Sequence, residues 1–153
     1  MKEQEKLQYC SKNAVLERFL RLPMETSASA KQIVLIVEDD SFLREIIAKK
    51  IQSAGFDVHE AASGENAFEL LQKVRPGLIL LDLILPKMNG FELVEKMRRE
   101  DFLKDIPVIF LSNYAETQGM KRSADLGVRD YLVKAKLTPG EVLERVEKFF
   151  KEG

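Results

Sequence analysis

Several features that would narrow the function are scarce or missing in this sequence. The single cysteine, Cys10, excludes an internal disulfide, and together with the single histidine, His59, it is too little for a Cys/His metal site. No apolar run approaches the roughly 20 residues of a membrane span. The first ten residues lack the apolar segment of a secretory signal. These absences predict a cytoplasmic protein that does not use a membrane as a partner.

Charge of one sign is not in excess either. The chain has 24 Lys and Arg against 25 Asp and Glu, a net charge of −1. Because surfaces that bind nucleic acid or anionic membranes are generally basic, the sequence predicts no direct nucleic-acid binding. The chain has 153 residues, of which 45% are hydrophobic and 32% charged, so we expect one globular domain with a substantial core.

The first 30 residues differ from the remainder of the chain. A loose helical stripe of apolar residues ends at Pro23, and residues 26–30 (TSASA) have the composition of a linker. We therefore divide the chain into an N-terminal extension, residues 1–30, and a main domain, residues 31–153. The extension is interpreted either as a helix that docks on a partner or as a frayed terminus.

One stretch of the main domain, GLILLDLILPKMNG at residues 77–90, organises the rest. A solid apolar run ends on Asp82, and a turn follows from Pro86 to Gly90. Such a run is typical of a parallel strand buried on both faces. Open α/β sheets place their ligand crevices at the carboxyl ends of strands, where Asp82 would lie. The alternative interpretation is that Asp82 merely ends the strand.

Apolar segments of strand length alternate with helix-like segments along the main domain. The strands are predicted at residues 32–37, 56–61, 77–82, 107–111 and 129–133. Strict alternation is typical of a doubly wound parallel sheet, and right-handed crossovers place helices on both of its faces. We therefore expect an α/β fold with five parallel strands.

Two helix starts and one weak helix stand out in this pattern. Ser41 is predicted to cap the first helix of the main domain, and Thr138–Glu141 has the pattern of a capping box with proline at the first helical position. The helix at about residues 115–126 is poorly patterned, and we expect it to be the loosest element. Its obvious core candidates are limited to Met120, Ala124 and Leu126.

Polar residues follow four of the five predicted strands. Glu38 and Asp39 follow the first strand, Asp82 ends the third, Ser112 ends the fourth, and Lys134 ends the fifth. Three acids at one sheet edge repel one another, which raises a pKa or calls for a cation. Mg²⁺ is the usual hard cation where phosphate is also bound. In this arrangement Asp82 is the candidate nucleophile for a phosphoryl group, and Lys134 neutralises its oxygens.

Each of these residues also has an ordinary structural explanation. The two acids after the first strand can stabilise a helix start, Ser112 can be a turn residue, and Lys134 can be a solvated charge. The joint occurrence of suitable residue types at four strand ends favours a functional site.

The motifs IVLIVEDD, LILLDLILPKMNGFEL, PVIFLSN and DYLVK occur in this order along the main domain. With them, the chain resembles the receiver domain of bacterial two-component response regulators over about residues 31–151. The resemblance implies a single-domain response regulator. It also implies a flavodoxin-like sheet with strand order 2-1-3-4-5, and Mg²⁺, or alternatively Mn²⁺, as the cofactor.

The resemblance also assigns roles to individual residues. Asp82 matches the phospho-accepting aspartate. Glu38 and Asp39 match the acidic pair, with Asp39 the direct metal ligand, and the main-chain carbonyl of Ile84 would complete the protein ligands. The residues expected to bind the phosphoryl group or to switch with it are Ser112, Lys134 and Tyr131.

The sequence departs from the family pattern at two places. Ala135 stands where the family usually has a proline with a cis bond. A trans bond is therefore expected, and the loop can follow a different path. Lys136 is a weaker candidate than Lys134 for the lysine that pairs with the phosphoryl group. Ile84 and Tyr114 occupy the variable positions two residues beyond Asp82 and Ser112. Since neither side chain can orient an attacking water, we predict slow loss of the phosphoryl group.

The resemblance implies a sensor histidine kinase or phosphotransfer protein as donor and a protein as downstream target. It also implies that a homodimer can form through the face of the fourth helix, fifth strand and fifth helix. The chain would be no enzyme beyond its own phosphorylation and dephosphorylation. The alternatives are an aspartyl phosphatase of the haloacid dehalogenase type and a pseudo-receiver that binds partners without phosphate. A flavodoxin-like cofactor protein is disfavoured because no phosphate-binding loop follows the first strand.

Overall fold

The computed structural model describes residues 30–153, so the predicted N-terminal extension, apart from Ala30, lies outside the described residues. The described residues form one sheet of five parallel strands in the order β2-β1-β3-β4-β5. The predicted fold class and strand order are therefore confirmed. The strands are β1 (Ile33–Val37), β2 (Asp57–Ala61), β3 (Leu78–Asp82), β4 (Val108–Ser112) and β5 (Asp130–Val133).

Within residues 30–153, five α-helices connect or follow the strands, and a single 3₁₀ turn, Lys134–Lys136, follows β5. They are α1 (Ser41–Ser53), α2 (Gly64–Leu71), α3 (Gly90–Arg98), α4 (Thr117–Asp125) and α5 (Pro139–Glu152). Not one of them is both long enough and apolar enough for a membrane span, within the part of the chain that the structure describes.

Among the described residues the core consists of two apolar clusters, one on each face of the sheet. Successive side chains of a strand point to opposite faces. Leu35 and Val37 of β1 accordingly pack with residues of α2 and α3, whereas Val34 and Ile36 pack with residues of α1 and α5. Every residue of β3 and β4 is buried, as expected for central strands covered on both sides.

Of the two helix starts predicted from the sequence, that of α5 is confirmed and the cap of α1 is wrong. The capping box of α5 is present, with Thr138 and Glu141 exchanging hydrogen bonds. Asp40, and not the predicted Ser41, caps α1, because its carboxylate accepts hydrogen bonds from the backbone N–H groups of Phe42 and Leu43. Ser41 is the first helical residue, one position too late to cap.

Helix α4 has the fewest buried residues of the described helices, in line with its weak pattern. The predicted core positions Met120 and Ala124 are wrong, because both are exposed. The buried residue is Ser123, whose hydroxyl donates to the carbonyl of Gly119 at 2.6 Å. The buried position of α4 is thus occupied by a small side chain whose hydroxyl is satisfied within the helix, while Leu126 at its end is partly buried against the core.

Candidate functional site

The acidic residues predicted from the strand ends lie together. Val37 of β1 is paired with Leu81 of β3, so the next residues, Glu38 and Asp82, are neighbours at the carboxyl edge of the sheet. Carboxylate oxygens of Glu38, Asp39 and Asp82 lie within 4.8 Å of one another. Glu38 and Asp82 are buried, whereas Asp39 is exposed. The cluster therefore has a solvent-facing side.

Lys134 reaches this cluster from the end of β5. Its Nζ donates to Glu38 Oε2 at 2.6 Å and to Asp82 Oδ2 at 2.8 Å, and its side chain is 13% exposed. The peptide bonds of residues 30–153, including Lys134–Ala135, are all trans. The absence of proline at position 135 therefore leaves Lys134 in contact with the acids, while Lys136 is exposed.

The electrostatics of the cluster follow from burial. Burial raises the pKa of Glu38 from its usual 4.5 to about 7; the charge of Asp82 adds to this increase, and the hydrogen bond from Lys134 opposes it. Burial alone would lower the pKa of Lys134, but its hydrogen bonds to Asp82 and Glu38 raise it above the usual value. Lys134 is therefore charged, and it offsets part of the negative charge of the acids.

The donor atoms at this edge suit a hard divalent cation. Carboxylate oxygens are the ligands that Mg²⁺ prefers, and Mg²⁺ keeps several waters. The exposed side at Asp39 gives access for such waters. Lys134 already places a positive charge against two of the carboxylates. The residues present thus fit Mg²⁺ in ligand type and charge.

Ile84 contacts Asp82 through its amide. The backbone N–H of Ile84 donates to Asp82 Oδ1 at 3.1 Å, which fixes the orientation of that carboxylate. The proposed role of the Ile84 carbonyl as a metal ligand stays a prediction. Ile84 and Tyr114 are 59% and 65% exposed, so both residues face solvent.

The predicted switch residues meet at one main-chain carbonyl. Ser112 Oγ and the phenol of Tyr131 each donate to the carbonyl oxygen of Tyr114 at 3.0 Å. The Ser112 hydroxyl also accepts a hydrogen bond from the N–H of Tyr114 at 3.3 Å. Ser112 is therefore engaged with the loop between β4 and α4, and not with Asp82, in this structure.

Two further residues shape the site and were missed in the sequence. Arg44 of α1 donates from Nη1 to the carbonyl oxygen of Glu38 at 2.7 Å. No local sequence pattern predicts this contact. At Gly90 an added Cβ would lie 2.8 Å from the carbonyl oxygen of Asp82 and 3.0 Å from Cα of Leu83. Glycine there lets the start of α3 approach the backbone of Asp82, and the Pro86–Gly90 turn was its sequence signal.

Comparisons with known proteins agree with this geometry. A family model described as the response regulator receiver domain matches residues 34–147. The chain is 36% identical over 101 residues to the DNA-binding dual master transcriptional regulator RpaA of Synechocystis, and the match covers 66% of this chain and 42% of RpaA. The chain thus spans less than half the length of this relative.

Solved structures show the same similarity. The chemotaxis protein CheY4 of Vibrio cholerae has a TM-score of 0.73 at 29% identity, and the match covers 78% of this chain and 98% of that one. The phosphorylated cyanobacterial phytochrome response regulator RcpA has a TM-score of 0.69 at 27% identity, with 80% and 93% of the two chains covered.

These relatives correct one prediction. From the balanced charge we predicted no direct nucleic-acid binding. The relatives contradict this prediction. RpaA is named a DNA-binding regulator, and further relatives are named transcriptional regulators. The chain matches one part of such proteins. Its net charge therefore carries no information on whether DNA is among the partners.

Proposed function

The chain belongs to the response regulator receiver domain family, a family of signalling domains, and from that premise we propose that Asp82 accepts a phosphoryl group from a phosphohistidine on a donor protein. The observation that carries the proposal is the position of the buried Asp82 carboxylate. It lies beside Glu38, Asp39 and Lys134 at the carboxyl edge of the central strand.

The chemistry assigned to Asp82 is a substitution at phosphorus. A carboxylate oxygen of Asp82 forms a bond to phosphorus, the N–P bond of the donor breaks, and the donor imidazole leaves with the electron pair and takes up a proton. Mg²⁺, held by Glu38, Asp39 and Asp82, supplies neutralisation of the phosphoryl charge when it is bound. Lys134 shares this task, since its ammonium group already contacts Asp82 Oδ2.

The proposed switch is an exchange of hydrogen-bond partners. Phosphorylation adds roughly −1.5 to −2 charges at pH 7. The Ser112 hydroxyl then leaves the Tyr114 carbonyl and donates to a phosphoryl oxygen, which loosens the loop that precedes α4. The Tyr131 phenol donates to the same Tyr114 carbonyl. When the loop that carries this carbonyl moves, the Tyr131 side chain therefore moves with it. Such a change shifts an equilibrium between two surface states.

The proposal excludes catalysis on other substrates, so turnover is limited to the phosphorylation and dephosphorylation of Asp82. The exposed side chains of Ile84 and Tyr114 offer no carboxylate or amide to orient water, and self-dephosphorylation is therefore expected to be slow. The division at residue 30 and the cytoplasmic location stay predictions.

The dephosphorylation prediction has a direct test. Replacing Ile84→Asn and Tyr114→Glu together should speed loss of the phosphoryl group on the order of ten- to a hundredfold, because these side chains can orient an attacking water. The measurement is the decay of the phosphorylated fraction after the donor is removed. An unchanged decay rate would show that these two positions do not limit hydrolysis.

The phospho-acceptor is tested by intact mass after incubation with acetyl phosphate, with and without Mg²⁺. We expect one Mg²⁺-dependent phosphoryl adduct on the wild type, none on Asp82→Asn, and an undiminished adduct on Asp101→Asn, which alters an exposed aspartate. An adduct that survives Asp82→Asn contradicts the assignment. No adduct on the wild type favours a pseudo-receiver, and multiple turnover of small phosphate esters favours a phosphatase.

A further inference from the structure

Arg44 is a mostly buried arginine that the proposed chemistry does not use. It lies in the first turn of α1, and its side chain is 18% exposed. Its Nη1 donates to the carbonyl oxygen of Glu38 at 2.7 Å, and its Nε lies 3.3 Å from Glu60 Oε1 on β2. One side chain thus connects a helix, the edge strand β2 and the acidic turn.

Further hydrogen bonds fix the turn at residues 38–40, which Arg44 contacts. The N–H of Glu38 donates to the carbonyl of Ala61 at 3.1 Å. The N–H of Asp40 donates to Glu38 Oε1 at 3.2 Å, and the Asp40 carboxylate caps α1. Asp39 lies between these two fixed residues, and its own carboxylate forms no hydrogen bond with any described residue. Its direction is therefore set by the backbone on either side.

We propose that Arg44 is a positioning residue for the metal site: it fixes the Glu38 carbonyl so that the carboxylates of Glu38 and Asp39 both face the cation. This inference rests on the proposed function, because it presumes that the acidic cluster binds Mg²⁺. Residues that orient metal ligands typically change metal affinity 10- to 100-fold when they are replaced.

The sign of the effect separates positioning from simple electrostatics. A guanidinium group near a cation site repels the cation, so its removal would tighten Mg²⁺ binding if charge were all that mattered. Glu60 offsets part of the Arg44 charge, which reduces that repulsion. If Arg44 acts by fixing the turn, its removal weakens Mg²⁺ binding instead.

The chain offers a matched control in Arg98. This arginine is also partly buried and also donates to main-chain carbonyls: those of Leu126 at 3.2 Å, Lys104 at 2.8 Å and Ile106 at 3.0 Å. It lies on α3, and among the described residues it forms no hydrogen bond or ion pair with Glu38, Asp39 or Asp82. Arg98→Met therefore removes the same kind of interaction without touching the acidic turn.

The experiment is calorimetric titration of Mg²⁺ into the unphosphorylated protein, with the melting temperature measured on each sample. We expect Arg44→Met to weaken Mg²⁺ binding about tenfold or more. Arg44→Lys keeps the positive charge and an ammonium group that can donate one of the two contacts. This variant should remain folded, and its Mg²⁺ affinity should lie between those of the wild type and of Arg44→Met. Arg98→Met should lower the melting temperature and leave the Mg²⁺ dissociation constant unchanged.

Each outcome has a defined meaning. Unchanged or tighter Mg²⁺ binding by Arg44→Met, with normal binding by the wild type, overturns the role of Arg44 and leaves the proposed function in place. Equal weakening in Arg44→Met and Arg98→Met overturns it as well, because a general loss of stability then explains both. No Mg²⁺ binding by the wild type contradicts the metal site itself and the inference with it.

Discussion

Helices α3 and α4 follow neighbouring strands of the sheet, and the described residues hold them very differently. Helix α3 starts with a capping box between Asn89 and Glu92, and Leu93, Val94 and Met97 are fully buried. In α4 the N-cap residue, Glu116, accepts no capping hydrogen bond within residues 30–153, and Gly119 lies inside the helix. A cap contributes about 1 kcal/mol, and an interior glycine costs about as much.

This difference coincides with the division of roles in the proposed function. Helix α3 follows β3, which carries Asp82, whereas α4 follows β4, which carries Ser112. A phosphoryl acceptor requires fixed geometry, and a switch requires an element whose alternative arrangements differ little in free energy. The comparison therefore teaches that the phosphoryl acceptor ends the strand that leads into the firmly held helix, whereas the switch serine ends the strand that leads into the loosely held one.

The largest expected effect comes from truncating one apolar residue in each helix. Leu93→Ala should lower the free energy of unfolding by about 2–5 kcal/mol, because Leu93 is fully buried in the core. Met120→Ala should change it by less than about 0.5 kcal/mol, because Met120 is half exposed on α4. Urea denaturation of both variants measures the difference. Equal losses would contradict the contrast between the helices.

A matched pair of glycines sharpens the comparison. Gly90→Ala should cost about 1–3 kcal/mol, since the new Cβ meets backbone atoms of Asp82 and Leu83. Gly119→Ala should change stability by less than about 1 kcal/mol: the helix gains propensity, while the new Cβ lies 3.3 Å from the Tyr131 hydroxyl and disturbs its hydrogen bond to Tyr114.

Thermal denaturation of the two glycine variants, with acetyl phosphate labelling of each, checks both expectations. Gly90→Ala should also slow labelling of Asp82, whereas Gly119→Ala should leave the labelling rate near that of the wild type. A larger loss of stability in Gly119→Ala than in Gly90→Ala would contradict the assignment of α4 as the loosely held helix.

A further expected effect concerns pH and belongs to the phosphoryl site. Burial holds the folded-state pKa of Glu38 at about 7, above its usual 4.5, so the folded protein binds this proton more tightly than the unfolded chain. In the absence of a metal, this contribution to stability is present below pH 4.5 and is lost as the pH rises through 7.

Because Mg²⁺ must displace the Glu38 proton, its affinity should rise by up to about tenfold per pH unit below pH 7 and level off above it. Titration calorimetry between pH 6 and 8 measures this change. Glu38→Gln should remove the dependence on pH. A wild-type affinity that stays constant across this range would show that Glu38 is already ionised without metal.

Much of the site was predictable because parallel strands bring their carboxyl ends to one edge. That rule placed Glu38, Asp39, Asp82 and Lys134 together without knowledge of any contact. Arg44 escaped prediction because its contact depends on the path of the chain between β1 and α1, and no residue pattern encodes that path.

The errors have physical reasons as well. Met120 and Ala124 were expected in the core because apolar residues usually form the buried face of a helix, but a serine that bonds to its own helix occupies that face in α4. Asp40 took the capping role expected for Ser41 because the helix begins at Ser41 itself, one residue earlier than a Ser41 cap requires.

The most direct measurement is hydrogen–deuterium exchange by mass spectrometry, before and after phosphorylation of Asp82 with acetyl phosphate and Mg²⁺. Before phosphorylation, amides of α4 should exchange faster than amides of α3. Phosphorylation should change exchange in α4 and in the loop around Tyr114, and leave α3 nearly unchanged. An equal change in both helices, or a change in α3 alone, would contradict the separation of a firmly held phosphoryl site from a loosely held switch.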